Sequence, residues 1–76
     1  MKDNNEASVL TILPLIFYIR GKCNVVLDVY YTQSKAIKTY ILEYKDKVEE
    51  AQLVMIRNGV QYRLTPSGSV RDYIKH

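Results

Sequence analysis

Two short runs carry the side chains able to do chemistry, and they offer hydrogen bonding and positive charge rather than bond breaking. The first comprises Gln33, Ser34, Lys35, Lys38 and Thr39; the second comprises Arg57, Asn58, Gln61 and Arg63. Residues 29–42 contain no acid, and neither do residues 57–71, while half of the chain's acids (Glu43, Asp46, Glu49 and Glu50) fall between the two. Amides and cations segregated in this way suit a polyanionic partner better than a mixed protein surface. Nothing comparable supports catalysis. His76, the only histidine, is the last residue, so a Ser-His or Cys-His pair would need an unanchored base. One cysteine and one histidine cannot supply the four ligands of a zinc site. Cys23, in a Gly-Lys-Cys-Asn loop, reads as a partly buried structural thiol. No glycine-rich phosphate loop is present. The chain is therefore read as a non-enzyme without metal or other cofactor, and with no small-molecule ligand in evidence.

Composition sets the frame for these clusters. Seventy-six residues make one domain, 1–76, whose core must be thin enough that a homodimer is expected to support it. An apolar fraction of 47% and a charged fraction of 25% are those of a globular protein. The net charge of +3 gives a mild bias toward polyanions. A single cysteine allows no intramolecular disulfide and favours a reducing interior. The apolar run over residues 9–19 falls short of the roughly 20 residues that a membrane span needs. Acids precede it and no cleavage site follows, so a cytoplasmic protein without membrane contact is expected.

The elements that must position the clusters are read from periodicity. Asp3 and Glu6 resemble a capping box opening a first helix to about Arg20, kinked at Pro14. Asn24 can cap a short second helix through Tyr31, although Val25, Val26 and Val29 suit a strand equally well. After a break at Thr32, Gln33 and Ser34, a third helix is the clearest element. Its stripe is Ile37, Tyr40, Ile41, Tyr44 and Val48. Asn58-Gly59 between apolar stretches predicts a hairpin over 52–64, since both turn positions need positive φ. That turn pairs Arg57 with Val60, Met55 with Tyr62 and Leu53 with Leu64. It points Leu53, Met55, Tyr62 and Leu64 inward, and Val54, Ile56, Gln61 and Arg63 outward. Pro66 after Thr65 predicts a final helix with Val70, Tyr73 and Ile74 on its apolar stripe. Tyr40, Tyr44, Tyr62 and Tyr73 are read as core residues, and Tyr30 or Tyr31 as within reach of a phosphate.

The stretch LVMIRNGVQYRLTPSGSVRDYI resembles winged helix-turn-helix transcriptional regulators, especially small archaeal or archaeal-virus ones with MarR-like or PadR-like wings. Tyr62, Leu64, Thr65 and Gly68 match the pattern Tyr-x-Leu-Thr-x-x-Gly that commonly follows the wing. The resemblance implies a mainly α, α+β fold: three helices, a two-stranded wing and a C-terminal helix. It also implies a double-stranded DNA-binding transcription regulator. The recognition helix, about 33–46, would enter the major groove, with Gln33 able to pair adenine and the lysines guanine or phosphate. Arg57, Asn58, Gln61 and Arg63 on the wing would position the domain on the backbone. A homodimer would form through the first or last helix. The alternative is a winged-helix protein-interaction module without DNA binding, motivated by Val54, Ile56 and Leu42 as an exposed apolar surface.

Overall fold

A computed structural model describes residues 13–75, and the fold it shows is mainly β. Strands β1 (Leu15–Arg20), β2 (Val26–Tyr30), β3 (Gln52–Arg57), β4 (Val60–Leu64) and β5 (Val70–Tyr73) form one sheet in the order β2-β1-β3-β4-β5. Every neighbouring pair is antiparallel. One helix of twelve residues joins β2 to β3: α1 (Gln33–Thr39), continued by a wider π turn over Tyr40–Tyr44. The three-helix winged helix-turn-helix is thereby overturned.

Each displaced helix has a local reason. β1 reads LIFYIR, an unbroken apolar run whose periodicity cannot tell helix from strand. Its β-branched and aromatic side chains favour the pleated state once strands lie on both sides. β1 has such neighbours in β2 and β3, and Ile16, Phe17, Tyr18 and Ile19 are all buried. The part of the predicted first helix before Leu13 lies outside the described residues. In the second segment the valines prevail, and Asn24 turns the chain instead of capping a helix. Cys23 and Asn24 sit at φ 61° and 60°, closing the β1–β2 connection with a bond from the Gly21 amide to the Val25 carbonyl (2.8 Å).

The last predicted helix is a turn followed by an edge strand. Pro66 has the φ that a first helical position wants, but position i+1 of a tight turn wants the same value. The Gly68 amide donates to the Thr65 carbonyl (2.9 Å), and the Thr65 amide to the Ser69 carbonyl (2.9 Å). Gly68, at φ +97°, then directs the chain back along β4.

The third helix and the Asn-Gly hairpin are present. Thr32 caps α1, its Oγ1 accepting from the Lys35 amide at 3.4 Å. The helical winding stops at Tyr44 rather than residue 46, and the Lys45 amide reaches the Tyr40 carbonyl across the widened turn (2.8 Å). Asn58 and Gly59 both have positive φ, and Arg57 pairs with Val60 and Met55 with Tyr62, as the turn predicts.

The sheet is loaded on both faces. Against α1 lie Phe17, Ile19, Tyr30, Leu53, Met55 and Leu64, with Ala36 buried beneath the helix and Ile37, Tyr40, Tyr44 and Tyr62 packed around them. Ile41 and Val48, expected on the same stripe, are exposed; the stripe breaks where the winding widens. The opposite face buries Ile16, Tyr18, Val54 and Ile56, each at 1% exposure or less, beside Leu13, Val26, Val29 and Ile74. Val54 and Ile56 are therefore core residues and not an outer surface. β3 is paired along both edges, and its continuous apolar sequence fills both faces of the sheet, Leu53 and Met55 toward α1 and Val54 and Ile56 on the other.

Candidate functional site

The nine residues expected to meet DNA do not form one surface. Ser34, Lys35 and Lys38 are exposed on α1, and Thr39 is half-buried. The Gln33 amide lies against the β4–β5 turn, where a Cβ added at Gly68 would stand 2.8 Å from Gln33 Nε2. Arg57 and Asn58 are exposed at the β3–β4 hairpin, with the Arg57 guanidinium 5.4 Å over the Tyr62 ring. Gln61 and Arg63 pair with Ile56 and Val54, so they belong to the sheet face away from α1. Gln61 is 4% exposed, and its Oε1 accepts from the Tyr18 hydroxyl at 2.5 Å. A recognition helix with a wing beside it is not what these side chains build.

Other expectations change with the fold. The first helix cannot be a dimer seam over residues 15–20, because β1 is a central strand buried on both faces. The last helix is edge strand β5, with Val70 and Tyr73 about half exposed. Tyr73 is thus not core, and Tyr30, buried, is not free to reach a phosphate, whereas Tyr31 is exposed. Of the three residues that motivated a protein-interaction surface, only Leu42 is exposed. Cys23 is exposed rather than partly buried.

One predicted residue does enter a shared site. Arg63 lines a cleft of about 480 Å³ together with Arg20, Arg71, Gln52, Glu50 and Thr65. The topology brings them together: β1 ends where antiparallel β3 begins, and β4 turns into β5 at the same end of the sheet. Arg20 therefore stands opposite Gln52. Its Nε and Nη2 both donate to Gln52 Oε1, at 3.0 and 2.8 Å. A neutral acceptor holds the guanidinium in place without cancelling its charge. Arg63 Nε meets Asp72 Oδ1 at 2.8 Å. That hydrogen bond, with the charges of Arg63 and Arg71, holds the Asp72 carboxyl below its ordinary range. Arg71 has no hydrogen bond or ion pair among the described residues. Three cations thus face one lining acid, Glu50, with Asp72 engaged by Arg63.

Backbone strain converges on the same place. Four described non-glycine residues have positive φ, and three of them, Cys23, Asn24 and Glu50, line the cleft. Asparagine tolerates that region, but each of the other two costs on the order of 1–2 kcal/mol. Strain of this kind concentrates where a structure holds residues for binding. Arg20, Arg71 and Gln52 were not singled out from the sequence as contacts. Arg20 and Gln52 stand at the far ends of two apolar runs, and only strand pairing makes them neighbours.

No protein-family model, curated protein or solved structure matches the chain. Among the described residues no helix is long and apolar enough to cross a membrane.

Proposed function

We propose that the protein binds double-stranded DNA by its phosphate backbone, gripping it in the cleft formed by Arg20, Arg63 and Arg71. The observation that carries this reading is the state of Arg20, a guanidinium fixed in direction by an uncharged partner and facing a shared opening with two more arginines. A planar guanidinium prepared in this way matches a phosphate oxygen pair. The net charge of +3 adds long-range attraction. The lysines of α1 lie on another part of the surface and contribute to that attraction without defining the grip. Contacts of this type position a protein on DNA and carry no sequence information by themselves.

The test is a fluorescence anisotropy titration of a labelled duplex across a salt series, with wild type, Arg20→Gln and Arg71→Gln. Each arginine that meets a phosphate contributes about 0.9 to the log–log salt slope. Both variants are expected to bind more weakly and with a slope reduced by about that amount, while their circular dichroism is unchanged. Duplex binding equal to wild type in both variants, or no duplex binding by the wild type in low salt, overturns the reading.

A further inference from the structure

The cleft between the strand ends offers more donors and more positive charge than a phosphate inside a DNA strand can use. A guanidinium carries five N–H groups. Arg20 gives two of them to Gln52 Oε1 and keeps three, and Arg63 gives its Nε–H to Asp72 and keeps four. Arg71, without a partner among the described residues, keeps all five. Glu50, the acid in the lining, makes no hydrogen bond or ion pair among the described residues, so it lowers the local charge without occupying a guanidinium. Three arginines and one glutamate leave the lining side chains with a net charge of +2, and Asp72 engages Arg63 from outside the lining.

An internal phosphodiester brings a single charge and two terminal oxygens. A monoester at a strand end brings three such oxygens and a charge of about −1.5 to −2 at pH 7. Charge and donor number therefore both match the strand end. Shape agrees. At about 480 Å³ the cleft has the volume of a small-ligand pocket, roughly 300–1,000 Å³, and such a cavity takes a group that projects into it. Within a duplex each phosphate is flanked by sugars on both sides and meets a protein as part of a continuous backbone. At a strand end it is bonded on one side only and projects freely. We infer that the preferred occupant of the cleft is the phosphate monoester at the end of a DNA strand, backbone phosphates being weaker occupants of the same arginines. The inference rests on the reading that this cleft holds DNA phosphate, and it names which phosphate.

Three internally labelled DNA probes of one sequence test it: a hairpin duplex with a terminal phosphate, the same hairpin with a terminal hydroxyl, and a covalently closed duplex without ends. At fixed low salt, fluorescence anisotropy is expected to show the phosphorylated hairpin binding about tenfold or more tighter than the other two, the effect of an added charge-assisted hydrogen bond. Arg20→Gln and Arg71→Gln are each expected to bring that ratio close to one, with circular dichroism unchanged. Lys35→Gln, on α1 and outside the cleft, is expected to keep it. Equal binding of all three probes by the wild type overturns the inference and leaves the backbone reading intact, as does a ratio unaltered in both arginine variants. Binding of the phosphorylated hairpin alone supports the inference and overturns the backbone reading. Absence of binding to all three probes overturns both. Displacement of the phosphorylated hairpin by a free deoxynucleoside monophosphate, at concentrations no higher than unlabelled phosphorylated hairpin requires, assigns the cleft to a free nucleotide and also overturns the inference.

Discussion

The Tyr18 hydroxyl donates to Gln61 Oε1 at 2.5 Å, reaching from β1 to β4 across the intervening strand β3. The pair lies among Ile16, Val54 and Ile56, on the sheet face opposite α1. It explains how a glutamine, placed on an outer surface by hairpin alternation alone, comes to be 4% exposed. A buried amide needs a partner, and a tyrosine two strands away provides one. Tyr18→Phe removes the donor without changing shape. It is expected to cost about 1–2 kcal/mol, read as a lowered urea midpoint at constant m-value.

The two faces of the sheet make parallel demands on packing. Ile56→Ala on the far face and Leu53→Ala beneath α1 are each expected to destabilise by about 2–5 kcal/mol. A solvent-facing Ile56 would give a change within about 0.5 kcal/mol. Chemical denaturation of the pair therefore measures directly whether the sheet is loaded on both sides.

Gly68 joins a conformational requirement to a steric one. Its φ of +97° strains any side chain, and an added Cβ would meet Gln33 Nε2 at 2.8 Å. Gly68→Ala is expected to cost about 1–2 kcal/mol. In a Gln33→Ala background the steric part disappears and the backbone part remains. A double-mutant cycle should thus show a coupling smaller than the whole effect.

Asp72 competes with any phosphate for Arg63, which it already holds at 2.8 Å. Asp72→Asn leaves the guanidinium's charge uncancelled. Tighter duplex binding is expected, with a salt slope steeper by about 0.9. An unchanged slope would place Arg63 outside the grip.

Three tyrosines tie stability to alkaline pH. Burial raises the pKa of Tyr18, Tyr30 and Tyr44 above the ordinary 10.0, and the Asp28 carboxylate raises Tyr30 and Tyr44 further. Asp28 Oδ2 accepts from the Tyr30 hydroxyl at 2.6 Å and from the Tyr44 hydroxyl at 3.4 Å. Above the unfolded value the unfolded chain releases these protons first, so the folded state binds more of them. The stabilisation is complete below pH 10 and is lost as pH rises above it toward the folded values. Urea midpoints measured on either side of pH 10, with tyrosinate absorbance followed in parallel, are expected to fall while these hydroxyls remain protonated in the folded protein.

Local chemistry settled much of this molecule. Asn58-Gly59 specified a turn that only positive-φ residues tolerate, and with it the register of β3 against β4. Thr32 followed by Ile37, Tyr40 and Tyr44 specified the start and inner side of the helix. The same residues resembled a winged helix because a hairpin after a helix is common to many folds.

Where the signals were degenerate, the tertiary structure decided. An unbroken apolar run such as LIFYI is compatible with a buried helix or with a strand buried on both faces. β2 and β3 on either side of it determine which, by pairing its backbone. Pro66 suits a helix start and a tight turn equally, and the Thr65–Ser69 bond selects the turn. Arg63 and Arg71 were legible as cations of one acid-free segment, but Arg20 and Gln52 were not legible as their companions. Arg20 is distant from Arg63 in the chain, Gln52 and Arg71 each lie one hairpin away, and all four meet only when antiparallel strands bring their ends together. Side-chain types and short-range turns are properties of the sequence, whereas a cleft between strand ends is a property of non-local pairing.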